Sequence, residues 1–191
     1  RPAAITPPPR ARASVEVIEA FGAGGGYRGV VRDAHEGFGI SPAVISFLGP
    51  GPNRPVLLQV RTNAQGAFQV DSAQLPTGSQ VEVSAPFHAT LIAPLPVPGV
   101  IELSLISRRR ALIERLVRWA ERRGRPWAQP HGEPTPHHIA SVASAEAQPK
   151  VERWARQVEH LAFGPTPPDA ASEQAAGVLE DPTVRQDSGI D

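Results

Sequence analysis

GYRGVVRDAHEGFGISPAVISFLG (Gly26–Gly49), PVLLQVRTNAQGAFQV (Pro55–Val70), LPTGSQVEVSA (Leu75–Ala85) and GVIELSLIS (Gly99–Ser107) decide the fold of this chain. Short β-branched runs alternate with Gly, Pro and Asn turns about every ten residues, the pattern of a small all-β sandwich. The runs predict strands at about Ser14–Phe21, Tyr27–Asp33, Ala43–Leu48, Pro55–Arg61, Ala67–Val70, Gln80–Ser84, Ala89–Ala93 and Gly99–Ser107. Pro55–Arg61 is nearly continuous in apolar residues and on that ground is expected to be the most buried. Val15 and Val17 are expected on one face of the first strand, and Ile101, Leu103 and Leu105 on one face of the last. Asn63 and Gly66 stand where the turn between two strands calls for a positive φ.

Working outward, the spacing of particular residues within the sandwich is informative. Gly29-Val30-Val31-Arg32-Asp33, followed by Pro42 and Ala43-Val44-Ile45, resembles the opening of the carboxypeptidase regulatory-like domain. Thr62-x-x-x-Gly66-x-Phe68 resembles that family's hairpin, and Leu75-Pro76-x-Gly78 with Val81-x-Val83 its next turn and strand. The resemblance covers about residues 27–106 and implies a prealbumin-like/Ig-like sandwich that serves as a stabilising or adhesive accessory. Phe87 stands where that family often has Tyr, and Ser14–Phe21 is then an added or edge strand. The residues themselves read as structural: Gly29 for close packing, Phe68 for the core, Asp33 for tying down its own loop. Asp33 with Glu36 lacks the regular oxygen spacing of a calcium loop. Related pilin-type sandwiches carry Lys–Asn crosslinks, but the one lysine, Lys150, lies outside the strands.

From Ser107 the hydrophobic period changes from two to 3.6. Leu112, Ile113, Leu116, Val117 and Ala120 form a helical stripe, with Glu114, Arg118, Glu121 and Arg122 off it and Trp119 at its edge. Gly124 and Pro126 end this helix, and Trp127 is expected to pack back. Thr135-Pro136 opens a second helix, with Ile139, Val142 and Ala143 inward, running to about Ala147. Val151, Trp154, Ala155, Val158, Leu161 and Ala162 define a third, which closes at Phe163-Gly164 with Gly164 expected in the left-handed conformation. The arginine-rich helix, the Glu133-Pro134-Thr135-Pro136 start and the aromatic-Gly ending resemble a bacterial domain of unknown function. That domain occurs at the C-terminus of multi-pass membrane proteins, often transglutaminase-like ones. The resemblance implies a place beside a membrane helix.

The organisation expected is a Pro-rich linker over 1–13, a sandwich over 14–107, a basic three-helix domain over 108–164, and an acidic, largely disordered tail over 165–191, with a short helix at about Ala170–Leu179. The fold class is mainly β, a sandwich followed by a small all-α unit. The chain begins at Arg1 and has no methionine, which reads as a piece of a longer protein. Formal net charge is zero, yet residues 107–164 carry eleven basic and six acidic side chains, and residues from 165 onward one arginine and six acids. This polarity suggests separate partners for the two segments, or a tail lying near the basic helices.

Chemistry is sparse. There is no cysteine, no Gly-Lys-Ser/Thr after the Gly22–Gly26 run, and no Gly-x-Ser-x-Gly elbow. His137 and His138 are adjacent, so their rings diverge, and neither His-x-x-x-His nor His-Glu-x-x-His occurs. No catalytic, cofactor or metal residue is therefore assigned, and no small-molecule substrate or nucleic acid is expected. The interaction surface expected is Arg108, Arg109, Arg110, Arg115, Arg118, Arg122, Arg123 and Arg125, facing a protein partner or an anionic membrane. Aromatics and lysines are too few for a nucleic-acid face. The structural motif residues are Gly29, Asp33, Thr62, Gly66, Phe68, Gly78, Thr135, Trp154 and Gly164. The function expected is a non-catalytic accessory or interaction module of a bacterial membrane- or envelope-associated protein, its soluble portion on either side of the membrane. The alternatives are an intracellular scaffold binding a protein through its apolar helix stripes, and an accessory region of a peptidase or other hydrolase.

Overall fold

The computed structural model describes residues 12–22, 24–71 and 75–177. The tail beyond Gly177, and all of the Pro-rich linker except Arg12 and Ala13, lie outside the described residues. The chain divides into two compact units, Arg1–Ser107 and Arg108–Asp191.

The first unit is a sandwich of two four-stranded sheets. Its strands are β1 (Ser14–Ala20), β2 (Tyr27–Asp33), β3 (Val44–Leu48), β4 (Val56–Arg61), β5 (Ala67–Val70), β6 (Gln80–Ser84), β7 (Leu91–Pro94) and β8 (Gly99–Leu105). One sheet has the order β1-β8-β2-β5, the other β4-β3-β6-β7. All pairings are antiparallel except β2 with β8, which run parallel. Strict alternation in β8 sends Ile101, Leu103 and Leu105 into the core and Val100, Glu102 and Ser104 away from it. Val31, Ile45, Phe47, Val81 and Val83 meet them from the other strands. Tyr27 stacks at a tilt on Phe47, 5.5 Å between ring centroids, and its hydroxyl donates to the Pro96 carbonyl at 2.9 Å. Burial pushes that phenol's pKa above its ordinary value.

β4 departs from expectation. Its apolar run is not the most buried: Val56 and Leu57 are 59% and 44% exposed. Side chains alternate across a strand, so a continuous apolar run is fully buried only where both faces are covered. β4 is an edge strand, with β3 on one side, and a register shift opposite Phe47 and Leu48 leaves Leu57 as the extra residue. The buried strand of that sheet is β3, whose Ile45, Ser46, Phe47 and Leu48 are all sequestered. β1 is likewise an edge, and Val17 is more exposed than its shared face with Val15 suggested.

The motif residues have local causes. Gly29 lies between Ile101 and Phe68 in register, and a Cβ there would stand 1.8 Å from the Ile101 carbonyl oxygen. Gly66 has φ +78°, and its carbonyl accepts from Val31 N–H at 2.8 Å. Asn63 is not in the left-handed region; its carboxamide oxygen instead accepts from Gln65 N–H and Ala67 N–H, which holds the same turn. Thr62, buried, donates its hydroxyl to the Ile40 carbonyl and accepts from Ala43 N–H, both at 2.9 Å, so it fastens the β2–β3 loop to the end of β4. Gly78, φ +85°, completes the turn before β6.

The second unit contains α1 (Arg108–Arg123), α2 (Pro136–Ala145), α3 (Pro149–Phe163) and α4 (Ala170–Ala176). Its centre is aromatic: Trp119 makes edge contacts with Trp127 and Trp154 at centroid distances of 5.1 and 5.5 Å. Leu112, Leu116, Ile139, Ala143, Ala155 and Val158 pack around them, so Trp119, though at the edge of the α1 stripe, lies with Trp154 in the core of the unit. Thr135 caps α2 by accepting from His138 N–H. α2 stops at Ala145, two residues earlier than its spacing suggests, and Ala147 turns the chain with φ +53°. Gly164 is not left-handed: φ −66° and ψ 164° are extended, and glycine is required because a Cβ would stand 2.3 Å from the His160 carbonyl.

Two glycine substitutions separate close approach from conformational freedom. Gly29→Ala forces the β2–β8 pair apart and is expected to destabilise the fold by about 3 kcal/mol, at the upper end for overpacking. Gly37→Ala meets nothing within 4 Å and bears only its positive φ of +78°, about 1 kcal/mol. Urea denaturation of the two variants is expected to rank them in that order.

Candidate interaction surface

The eight arginines of α1 and its C-terminal extension divide by what surrounds them. Arg108, Arg110 and Arg115 are held in ion pairs within the unit. Arg108 Nη1 lies 2.5 Å from Glu173 Oε2, and Arg115 Nη2 donates to Glu173 Oε1. Glu173 is 6% exposed, so one α4 carboxylate receives two guanidinium groups away from solvent. Arg110 donates to both Glu133 oxygens at 2.9 and 3.1 Å and to Glu114 at 3.3 Å. The Glu133 hydrogen bond holds the Arg110 pKa above its ordinary value. Glu114 is buried, although the helical pattern sets it off the apolar stripe. Its four-residue spacing from Arg110 supplies the partner that makes this tolerable.

Two more arginines are engaged within the unit. Arg109 Nη2 donates to the Gly164 carbonyl at 2.6 Å, closing the C-terminal end of α3. Arg123 lays its guanidinium 4.7 Å from the centroid of Trp119, a cation–π contact. Arg118, Arg122 and Arg125 are exposed and have no hydrogen bond or ion pair among the described residues. Arg118 and Arg122, four apart, share one side of α1, and Arg125 follows the left-handed Gly124 just beyond the helix end. The arginine-rich segment thus reduces to three outward cations.

α4 explains this sorting. The short helix expected at about Ala170–Leu179 is present over Ala170–Ala176, and it packs on α3 and α1. Asp169 caps it, its Oδ1 accepting from Ser172 N–H and Ser172 Oγ at 2.7 Å each. These bonds, the backbone one foremost, lower the Asp169 pKa below its ordinary value. Val178 and Leu179 of the expected helix lie outside the described residues.

In the sandwich, spacing did not reveal that Asp33 and His88 meet. His88 Nε2 is 3.0 Å from Asp33 Oδ2, and His88 Nδ1 is 2.8 Å from the Pro86 carbonyl. Asp33 Oδ1 accepts from His35 N–H and Glu36 N–H at 2.8 Å each. Every polar atom of the pair is occupied by its own loops, which makes it a tie between the ends of β2 and β6. The remaining histidines are dispersed: His138 Nε2 contacts the Pro126 carbonyl, and His137 is largely exposed, 4.0 Å from Glu159. Among the described residues no three His, Cys, Asp or Glu side chains are placed to hold a metal ion. No helix among them is long and apolar enough to cross a membrane.

Glu173→Gln leaves two arginines facing a neutral amide. With both guanidiniums partly solvated, a loss of about 1–3 kcal/mol is expected, below the full penalty for breaking a buried pair. Hydrogen exchange is expected to speed up in 170–176 before the rest of the unit. The Asp169 cap gives a separate acid signature. Because its folded pKa is lowered, its stabilisation is present above the unfolded carboxylate pKa and disappears as pH falls through the folded value. Amide exchange at Ser172, compared between Asp169→Asn and the parent during acid titration, is expected to converge only at the lowest pH.

Comparison with protein-family models and with curated proteins finds no match to this chain in either.

Proposed function

We propose that this chain is a non-catalytic accessory and interaction module of a bacterial membrane- or envelope-associated protein, which meets an anionic membrane surface through Arg118, Arg122 and Arg125. The observation that carries the reading is the division of the arginines. Arg108, Arg109, Arg110, Arg115 and Arg123 satisfy groups of their own unit, whereas these three are exposed and unpaired among the described residues. The carboxypeptidase regulatory-like reading of the sandwich is supported by Gly29, Asp33, Thr62, Gly66 and Phe68, each of which has a structural duty at its motif position. The scaffold alternative draws on the apolar helix stripes, but Leu112, Leu116, Ala120, Val151, Trp154 and Val158 are consumed in the helical core.

Magnitude decides how such a face works. Each arginine near an anionic leaflet contributes about 1 kcal/mol. Three give about 3 kcal/mol, short of the 4.1 kcal/mol that corresponds to a millimolar dissociation constant. The face therefore orients a module held at the membrane by another segment, and is too weak to anchor it alone.

Flotation with vesicles containing anionic lipid tests this. Weak recovery at about 20 mM salt that disappears at about 500 mM, where screening is nearly complete, is expected. Arg118→Ala/Arg122→Ala/Arg125→Ala is expected to abolish it without changing the circular dichroism spectrum. No recovery at low salt, or recovery that survives the triple substitution, assigns the arginines to some other partner.

A further inference from the structure

A separate feature lies in the sandwich, on the edge strands of its two sheets. Four strands are edges: β1 and β5 of one sheet, β4 and β7 of the other. β5 and β7 have four residues each, while β1 has seven and β4 six. A long exposed edge presents unpaired backbone groups and invites another strand. Both long edges also expose apolar side chains, Val17 and Ile18 on β1, at 41% and 63%, and Val56 and Leu57 on β4, at 59% and 44%. Each has a register irregularity beside those residues.

Their charges are opposite. β1 carries Glu16 and Glu19 and no basic residue, with Arg12 two residues before it; both glutamates and Arg12 are exposed. β4 carries Arg61, with Arg54 two residues before it, and no acid; both arginines are exposed and have no ion pair among the described residues. The backbone of β4 is available. Thr62 N–H donates to the Ala43 carbonyl, so that pair faces β3, and by alternation Gln59 and Arg61 turn their N–H and C=O groups to the open side. Within the sandwich β1 packs near β7, and β4 near β5, so the two long edges lie on opposite flanks.

The geometry points to head-to-tail association of this chain with further copies of itself, β1 of one copy pairing with β4 of the next. The occupant of each edge is the other edge, because the apolar residues match and the charges complement. Association of β1 with β1 or of β4 with β4 would oppose like charges. Since the two patches differ and lie on opposite flanks, the contact is heterologous and does not close on itself as a two-fold dimer does. Short open arrays result.

Sedimentation of the full chain at low salt, over about 10 μM to 1 mM, the range of weak protein contacts, tests this directly. Average mass is expected to rise with concentration and to fall back when salt is added. Reversing one edge, by Glu16→Arg with Glu19→Arg, is expected to weaken association at least tenfold, and so is reversing the other, by Arg54→Glu with Arg61→Glu. Mixing the two variants is expected to restore it, since each then offers the complement of the other's altered edge. The restoration rules out misfolding as the cause of the loss. A mass that stays monomeric throughout overturns the inference, as does association indifferent to either reversal or not recovered on mixing.

Discussion

Most of the sandwich follows from the position of β8. It is bonded on both sides, in parallel with β2 and antiparallel with β1, and its alternation puts Ile101, Leu103 and Leu105 into the core in one stroke. The parallel pairing brings Gly29 against the Ile101 carbonyl, where no side chain fits. On its other side β2 pairs with β5, which seats Phe68 opposite Gly29, and the end of β2 meets Leu105 of β8, with Asp33 buried at the margin of the sheet. A buried carboxylate must be satisfied, and His88 with two backbone amides does so.

The helical unit has a different organising constraint. Its first helix begins with three consecutive arginines and has no acidic residue in its first turn, an unfavourable charge for a helix N-terminus. Glu173, Glu133 and Glu114 offset it from three different elements of chain, and α4 is held by the first of them. The exposed arginines near the far end of α1 lie beside the exposed Glu121 and toward the helix C-terminus, where the dipole favours cations. That arrangement keeps Arg118, Arg122 and Arg125 available at little energetic penalty.

Much of this was legible in the residues themselves. Period two up to Ser107 and period 3.6 beyond it yield a sandwich followed by helices, because alternation and helical stripes are local consequences of burying one face. The turn at Thr62–Gly66 and the cap at Thr135 were equally local. Errors came where a neighbour decides. The apolar run of β4 looks central until the sheet order makes it an edge; Asn63 holds its turn by its side chain rather than by a positive φ; Gly164 is required by a nearby carbonyl and not by a left-handed turn.

The sequence by itself determined the elements, their periods, the place where β gives way to α and the richness of one helix in arginine, since each of these depends on residues within a turn or two of one another. Only the tertiary structure decided which strands are edges, that His88 meets Asp33 across 55 positions, and which arginines are already answered by Glu173 and Glu133, across 65 and 23. Those are contacts between residues distant in the chain, and charge and exposure at such positions are properties of the neighbour as much as of the residue.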